Sequence, residues 1–131
     1  MFSISVILVL LFGHFYADFI QQNHWMAVNK SKNNRALSLH VAMYTLCMIF
    51  PFMYAFHNSI NLDGYFYALL LVLYILFNGA MHFATDYITS RTNSKLWASG
   101  NIHNFFVGVG FDQFIHYATI FGSLYLIQVM V

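Results

Sequence analysis

The sequence predicts an all-α integral membrane protein, a bundle of four transmembrane helices that forms one domain over residues 1–131. Two observations predict this fold class. Of the residues, 60% are hydrophobic and 7% are charged, whereas a soluble domain has about a quarter charged residues with which to cover its surface. Four apolar stretches also reach the roughly 20 residues that a helix needs to cross the hydrocarbon core of a bilayer.

The predicted transmembrane helices cover about residues 3–22, 36–57, 64–88 and 102–131. The first stretch has no basic N-terminal region and carries His14 and Asp18. We therefore expect a retained helix there rather than a cleaved signal peptide.

The basic residues predict the orientation of these helices. All five lie in two predicted loops, with Lys30, Lys32 and Arg35 after the first helix and Arg91 and Lys95 after the third. Loops rich in lysine and arginine stay in the cytoplasm. We expect both loops to be cytoplasmic and both termini to lie on the outer side. The formal net charge of +1 provides no positive field for nucleic acid.

A short pattern occurs twice in the chain. Residues 14–20 read HFYADFI and residues 82–88 read HFATDYI, and the helix after each carries a further histidine, His40 or His116. Both halves would cross the membrane in the same direction. The sequence therefore predicts two parallel pseudo-repeats of two helices around one centre.

Three of the four acidic residues, Asp18, Asp86 and Asp112, lie inside predicted transmembrane helices. Each costs about 2.5–3.5 kcal/mol at a helix centre on insertion scales. These carboxylates must therefore face inward and have partners.

Histidines at a regular spacing provide those partners. Three His/Asp pairs are four residues apart, which places both members of a pair on one helix face. We call the combined set the His/Asp cluster, and it consists of His14, Asp18, His40, His82, Asp86, Asp112 and His116. At about 1.5 Å per residue, these side chains can converge at one level near the cytoplasmic side.

A divalent transition metal is the ligand that this combination suits best, because its charge compensates the aspartates and neutral imidazoles complete its coordination. Zinc is the first expectation, and manganese or iron suit the same ligands. Seven candidates exceed the three protein ligands of a typical catalytic zinc. We therefore expect one or two ions, with some aspartates orienting histidines. A proton network and purely structural contacts between helices are the alternatives.

At these residues the sequence resembles a family of small bacterial and phage membrane proteins catalogued as domain of unknown function 3307. The similarity covers nearly the whole chain. It rests on His14-x-x-x-Asp18 running into Gln21, Trp25 and Met26, on Leu39-His40, on His82-Phe83-x-x-Asp86 and on Asp112-Gln113-x-x-His116. The chain is also similar to membrane-bound proteins labelled metal-dependent hydrolases. That label implies a fold and a metal but names no substrate.

The leading functional hypothesis is a membrane-embedded hydrolase that acts on a lipid or lipid-linked ester, amide or phosphoester. In this hypothesis Asp112 accepts a proton, and Gln113 or Asn78 polarises the substrate oxygen. Arg91 and Lys95 are the candidates for contact with an anionic headgroup.

Two other classes of function use the same residues. The first is a transporter or channel for metal ions or protons, and the second is a structural or regulatory membrane protein with a structural metal or polar network. The expected partners are the lipid bilayer, a lipid substrate and a second copy of the chain. Gly108 and Gly110 permit close helix contact, within the chain or between copies.

Overall fold

The computed structural model describes all 131 residues and contains five helices and no strands. The first, α1, spans Ile4–Phe15 and continues without a break into a π-helical turn, Tyr16–Ile20. The remaining helices are α2 (His24–Asn29), α3 (Asn34–Ser59), α4 (Gly64–Ala98) and α5 (Ile102–Met130). The all-α prediction is confirmed.

Side-chain caps fix where several helices begin. The Ser3 hydroxyl accepts a hydrogen bond from the backbone N–H of Val6, and the Asn23 side chain accepts one from Met26 at 2.9 Å. Asn33 caps α3 in the same way. These caps satisfy N–H groups that have no partner inside the helix.

The largest difference from the sequence-based boundaries is in α4, which was expected to end near residue 88 and continues to Ala98. Residues 89–99 contain no proline or glycine, so nothing in them breaks the helix. The helix ends before Gly100, whose φ of +72° is favourable for glycine alone. Arg91 and Lys95 therefore lie on a helix and not in a loop.

Two helices, α3 and α4, are long and apolar enough to cross a membrane, judged by length and composition. The segment Ile4–Ile20 is apolar but shorter. With 35 residues, α4 is about 52 Å long, so it extends beyond a hydrocarbon core of about 30 Å.

The helices α1, α4 and α5 all contact α3, and α4 also packs along α5. A Cβ atom added to Gly13 of α1 would lie 2.6 Å from Pro51 Cγ of α3, and one added to Gly79 of α4 would lie 2.9 Å from Thr45 Oγ1. Glycine thus allows α1 and α4 to approach α3 closely. Gly108 likewise packs against Asn93 of α4, whereas Gly110 has open space beside it.

The buried interior is divided along the helices into an apolar part and a polar part. The apolar part lies toward the beginning of α1 and the end of α5 and includes Leu10, Met48, Phe52, Phe56 and Leu124. The polar part is formed by the later turns of α1 and by residues from α3, α4 and α5.

Candidate metal centre

All seven residues of the His/Asp cluster lie in the polar part, and none is more than 9% exposed. The first helix carries two of them, α3 one, α4 two and α5 two. His14 lies in the α-helical part of the first helix and Asp18 in its π-helical turn. The predicted convergence of side chains from four helices is therefore present in the structure.

His40 lies at the centre of the first group of contacts. Its Nε2 atom is 3.0 Å from Asp18 Oδ1, 3.2 Å from Asp86 Oδ2 and 3.2 Å from His82 Nε2. His82 Nε2 lies 3.6 Å from Asp18 Oδ1, and the Tyr44 ring stacks on the His82 imidazole at 3.7 Å between centroids. Three helices thus direct nitrogen and carboxylate atoms at one small volume.

The second group of contacts is centred on α5. His116 Nε2 is 3.2 Å from Asp86 Oδ1 and 3.5 Å from Asp112 Oδ1. The Thr89 hydroxyl donates a short hydrogen bond to Asp112. The Gln113 amide donates to Asp18 Oδ2 at 3.1 Å and to Asp112 Oδ2 at 3.0 Å. Gln113 therefore connects the two groups.

His14 is fully buried, and neither of its ring nitrogens has a hydrogen-bond partner. Its ring centroid lies 5.1 Å from that of His116 and 5.9 Å from that of His82. A buried imidazole normally satisfies at least one nitrogen. Unpaired nitrogens beside two other histidines are what a metal ligand presents before the ion is bound.

Three overlapping sets of residues have ligand atoms within 4.8 Å of one another. They are His14 with His82 and His116; Asp18 with His40, His82 and Asp86; and Asp18 with Asp112 and His116. Imidazole nitrogen and carboxylate oxygen together suit zinc, manganese and iron. Because the sets share members, the donors fit one ion or two neighbouring ions.

The predicted pairing within helices holds for two of the three pairs. His82 and Asp86 approach to 3.8 Å, and Asp112 and His116 to 3.5 Å. His14 and Asp18 form no such contact, because the helix changes from α to π geometry between them. In that turn the Gln21 N–H bonds the Tyr16 carbonyl, five residues back, at 2.8 Å. The wider turn directs Asp18 toward His40.

Lys30 belongs to the site, although in the sequence analysis it served only to predict how the helices are oriented in the membrane. It follows the last residue of α2, and its Nζ atom is 2.9 Å from Asp86 Oδ2, 3.4 Å from His40 Nε2 and 3.9 Å from Asp18 Oδ1. Burial alone would lower the pKa of Lys30, but the adjacent Asp86 and Asp18 carboxylates outweigh it and raise that pKa. No sequence spacing signals this contact, since 56 residues separate Lys30 from Asp86.

A cavity of about 500 Å³ opens beside the cluster. Asp18, Asp86, Asp112 and Gln113 line it, together with Lys30 and residues from the last turns of α4. These carboxylates therefore lie between the buried cluster and the cavity, whereas His14 is not among the lining residues.

The remaining predicted residues lie outside the cavity lining. Asn78 is buried and donates hydrogen bonds to the Tyr74 carbonyl and to Ser123. Arg91 is bound to Asn34 at 2.7 Å and lies over the Tyr87 ring, and Lys95 is exposed. The structure thus places the cluster and Gln113 together and these three residues elsewhere.

Comparison with known proteins identifies one family. A family model described as "Protein of unknown function (DUF3307)" matches residues 6–130. No curated protein and no solved structure matches the chain.

Proposed function

Since the chain belongs to the DUF3307 family, whose description names no activity, we infer its function from the site and propose a membrane-embedded, metal-dependent hydrolase. The substrate we propose is a lipid or a lipid-linked ester, amide or phosphoester. One observation carries the proposal. Buried imidazoles and carboxylates from four helices converge beside an open cavity, and that cavity is lined by three of the carboxylates.

The donor set supports a divalent cation. Three carboxylates in a buried volume need positive charge, and Lys30 provides one ammonium group for two of them. The unpaired nitrogens of His14 supply further ligand capacity. Zinc is the first candidate, followed by manganese and iron, with one or two ions. A bound cation supplies Lewis acidity that polarises a carbonyl or phosphoryl oxygen.

The residues that line the cavity have defined parts in the proposed reaction. Asp112 accepts a proton from the attacking water, which adds to the acyl carbon or the phosphorus. The bond to the leaving oxygen or nitrogen then breaks, and the leaving group takes up a proton. Hydrogen bonds from Thr89 and Gln113 hold the Asp112 carboxylate in position. Gln113 lines the cavity and Asn78 does not. Because the Gln113 amide already donates both of its hydrogens, to Asp18 and Asp112, its part is to position these carboxylates rather than to donate to a substrate oxygen.

We propose that the first helix, Ile4–Ile20, crosses a bacterial inner membrane together with α3, α4 and α5, with both termini outside and the cavity facing the cytoplasm. The apolar outer surface of the bundle supports this, including Phe50 of α3, Leu76 of α4 and Phe114 of α5, each more than 60% exposed. The two-helix pseudo-repeat is supported by one equivalent contact in each half, between Asp18 and His40 and between Asp86 and His116.

Transport of ions or protons through the bundle fits its interior less well than hydrolysis at a site with one opening. A path for ions or protons needs polar groups through the whole membrane thickness. Beyond the cluster, the interior is filled by apolar side chains that include Leu10, Met48, Phe52 and Leu124. The same donors therefore fit a site with one opening better than a channel.

The proposal is tested by incubating the protein, in nanodiscs and loaded with metal, with lipids extracted from a bacterial inner membrane. Mass spectrometry is expected to reveal hydrolysis products that disappear after chelation. Asp112→Asn should lower turnover by about 100-fold or more, the usual effect of removing a general base, while the metal stays bound. Asp63→Asn is the matched control, because Asp63 is exposed and its side chain caps nothing. Chelator-resistant hydrolysis, or full turnover by Asp112→Asn, would contradict the proposal.

A further inference from the structure

The cavity is lined by cationic and apolar side chains as well as by the aspartates of the His/Asp cluster. Two ammonium groups, those of Lys30 and Lys32, line it. Apolar side chains form another part of the lining, including Phe19, Trp97 and Phe105. Positive charge and apolar surface in one cavity match a ligand with an anionic head and a hydrocarbon tail.

We propose that this cavity binds an anionic phospholipid, with the phosphate between Lys30 and Lys32 and an acyl chain along Phe19 and Trp97. The inference deepens the proposed function and rests on it, because it names the class of lipid that the same site receives. It also moves headgroup recognition to Lys30 and Lys32, in place of Arg91 and Lys95.

Charge supports an anionic headgroup once a cation is bound. With neutral imidazoles, the three lining aspartates carry three negative charges, and the two lysines carry two positive charges. One divalent cation changes the balance from a single negative to a single positive charge. Asp86 and Asp18, which lie 2.9 Å and 3.9 Å from the Lys30 ammonium, would be among the residues that hold such a cation. The Lys30 ammonium is then free to bind a phosphate oxygen in the cavity.

Neutral donors also line the cavity. Ser31, Asn93 and Ser94 line the cavity, and so does Ser90, whose buried hydroxyl has no hydrogen-bond partner. Phosphate in proteins is commonly bound by lysine together with hydroxyl and amide donors. An unpaired buried hydroxyl in a cavity that two lysines also line is therefore consistent with a phosphate oxygen as its partner.

The apolar part of the lining is continuous with the outside of the bundle. Phe19 is 44% exposed and Trp97 is 58% exposed, although both line the cavity. Phe105 packs edge-on against Trp97, with 5.0 Å between ring centroids. A lipid can therefore enter sideways from the bilayer, with its chain on these aromatic rings and its head inside. Free phosphate would leave this apolar surface unused.

Trp97 provides a direct reporter, because the chain has only two tryptophans and Trp25 is not a lining residue. In Trp25→Phe protein, quenching of Trp97 fluorescence is measured with brominated-chain phosphatidylglycerol and with phosphatidylcholine that carries the same chains. Each titration is done without metal and with zinc. The reciprocal Trp97→Phe protein reports general lipid contact through Trp25.

We expect phosphatidylglycerol to quench Trp97 at lower concentration than phosphatidylcholine, and Trp25 to show no such preference. Lys32→Gln should weaken the phosphatidylglycerol effect roughly fivefold, as expected for one lysine near an anionic lipid. Lys95→Gln, an equal loss of charge outside the cavity, should leave it unchanged. Equal quenching by both lipids, or equal effects of the two lysine variants, would overturn the inference.

Inorganic phosphate separates the two sources of a phosphate group. Millimolar phosphate that abolishes the phosphatidylglycerol preference would show that the site binds free phosphate, and would overturn the assignment to a lipid. A preference that persists supports it. The metal content of the same samples distinguishes failure of the hydrolase proposal from failure of the lipid inference. Absence of metal would overturn the hydrolase, whereas loss of lipid preference in metal-loaded protein would overturn only the inference about the lipid.

Discussion

The two halves of the chain build one contact in common and differ in what surrounds it. In the first half, Asp18 of the first helix lies 3.0 Å from His40 of α3, and in the second half Asp86 of α4 lies 3.2 Å from His116 of α5. The surroundings then diverge. Four residues before His116 stands Asp112, whereas the same position before His40 is Ala36, a buried methyl group.

This difference distinguishes residues of the site that occur in both halves from residues that occur in only one. A contact present in both halves is suited to holding a cation between them. A carboxylate that is present in one half only, at the edge of the cavity, is suited to a role that a single residue fills, such as accepting a proton. The first half has its own addition, since Lys30 reaches across to Asp86 of the second half at 2.9 Å.

The largest difference in stability between the two halves is expected when the aspartate of each half is replaced in turn. Asp86→Ala should destabilise the metal-free protein by about 3–5 kcal/mol, because it leaves the Lys30 ammonium without its nearest partner. Asp18→Ala should cost less, since its distance to Lys30 is 3.9 Å. The check is the free energy of unfolding in detergent. Equal losses would contradict the asymmetry.

A smaller loss of stability is expected when the glycines that pack against α3 are replaced by alanine. Gly13→Ala should cost about 1–3 kcal/mol, because the added methyl group meets the rigid ring of Pro51. Gly79→Ala meets the Thr45 hydroxyl, which can move only by losing its 2.8 Å hydrogen bond to the Val41 carbonyl, so a smaller loss of about 0.5–1.5 kcal/mol is expected. Thermal unfolding of both variants, beside Gly110→Ala as a control with open space, measures the difference. A larger loss for Gly79→Ala would show that the second contact is the tighter one.

The smallest change that we expect is a gain in metal affinity on removal of Lys30. Its ammonium group lies among the atoms of Asp18, His40 and Asp86, where a cation would bind. Lys30→Met removes this competitor, so zinc should bind roughly tenfold more tightly, or about 1.4 kcal/mol. Calorimetric titration of wild type, Lys30→Met and Lys32→Met checks this. Weaker binding by Lys30→Met alone would mean that Lys30 supports the site rather than occupying it.

The residues of the cluster were predictable because their cost in an apolar helix is high. A carboxylate such as Asp86 needs a polar partner in an apolar helix, and its spacing of four residues from His82 indicates a partner on the same helix face. This spacing identifies six of the seven cluster residues, and the repeat adds His40 as the equivalent of His116. The all-α class is predicted separately, from the composition and the four apolar stretches.

Features that depend on packing between elements were not predictable in this way. Lys30 reaches the site only because α2 ends beside α3 and α4, and its sequence neighbours carry no sign of it. The π-helical turn at Tyr16–Ile20 has no signal in the sequence, and it separates His14 from Asp18. The extension of α4 to Ala98 was missed because its last turns are polar, although polar residues without glycine or proline continue a helix readily.

Elemental analysis is the measurement that decides whether the His/Asp cluster holds a metal ion. Protein purified in mild detergent would be compared with a His14→Ala/His82→Ala double variant, each also reconstituted with zinc, manganese and iron. We expect one or two equivalents of a transition metal in the wild type and their loss in the variant. No metal in either protein after reconstitution would show that the cluster is not a metal site and is instead a polar network that holds the helices together.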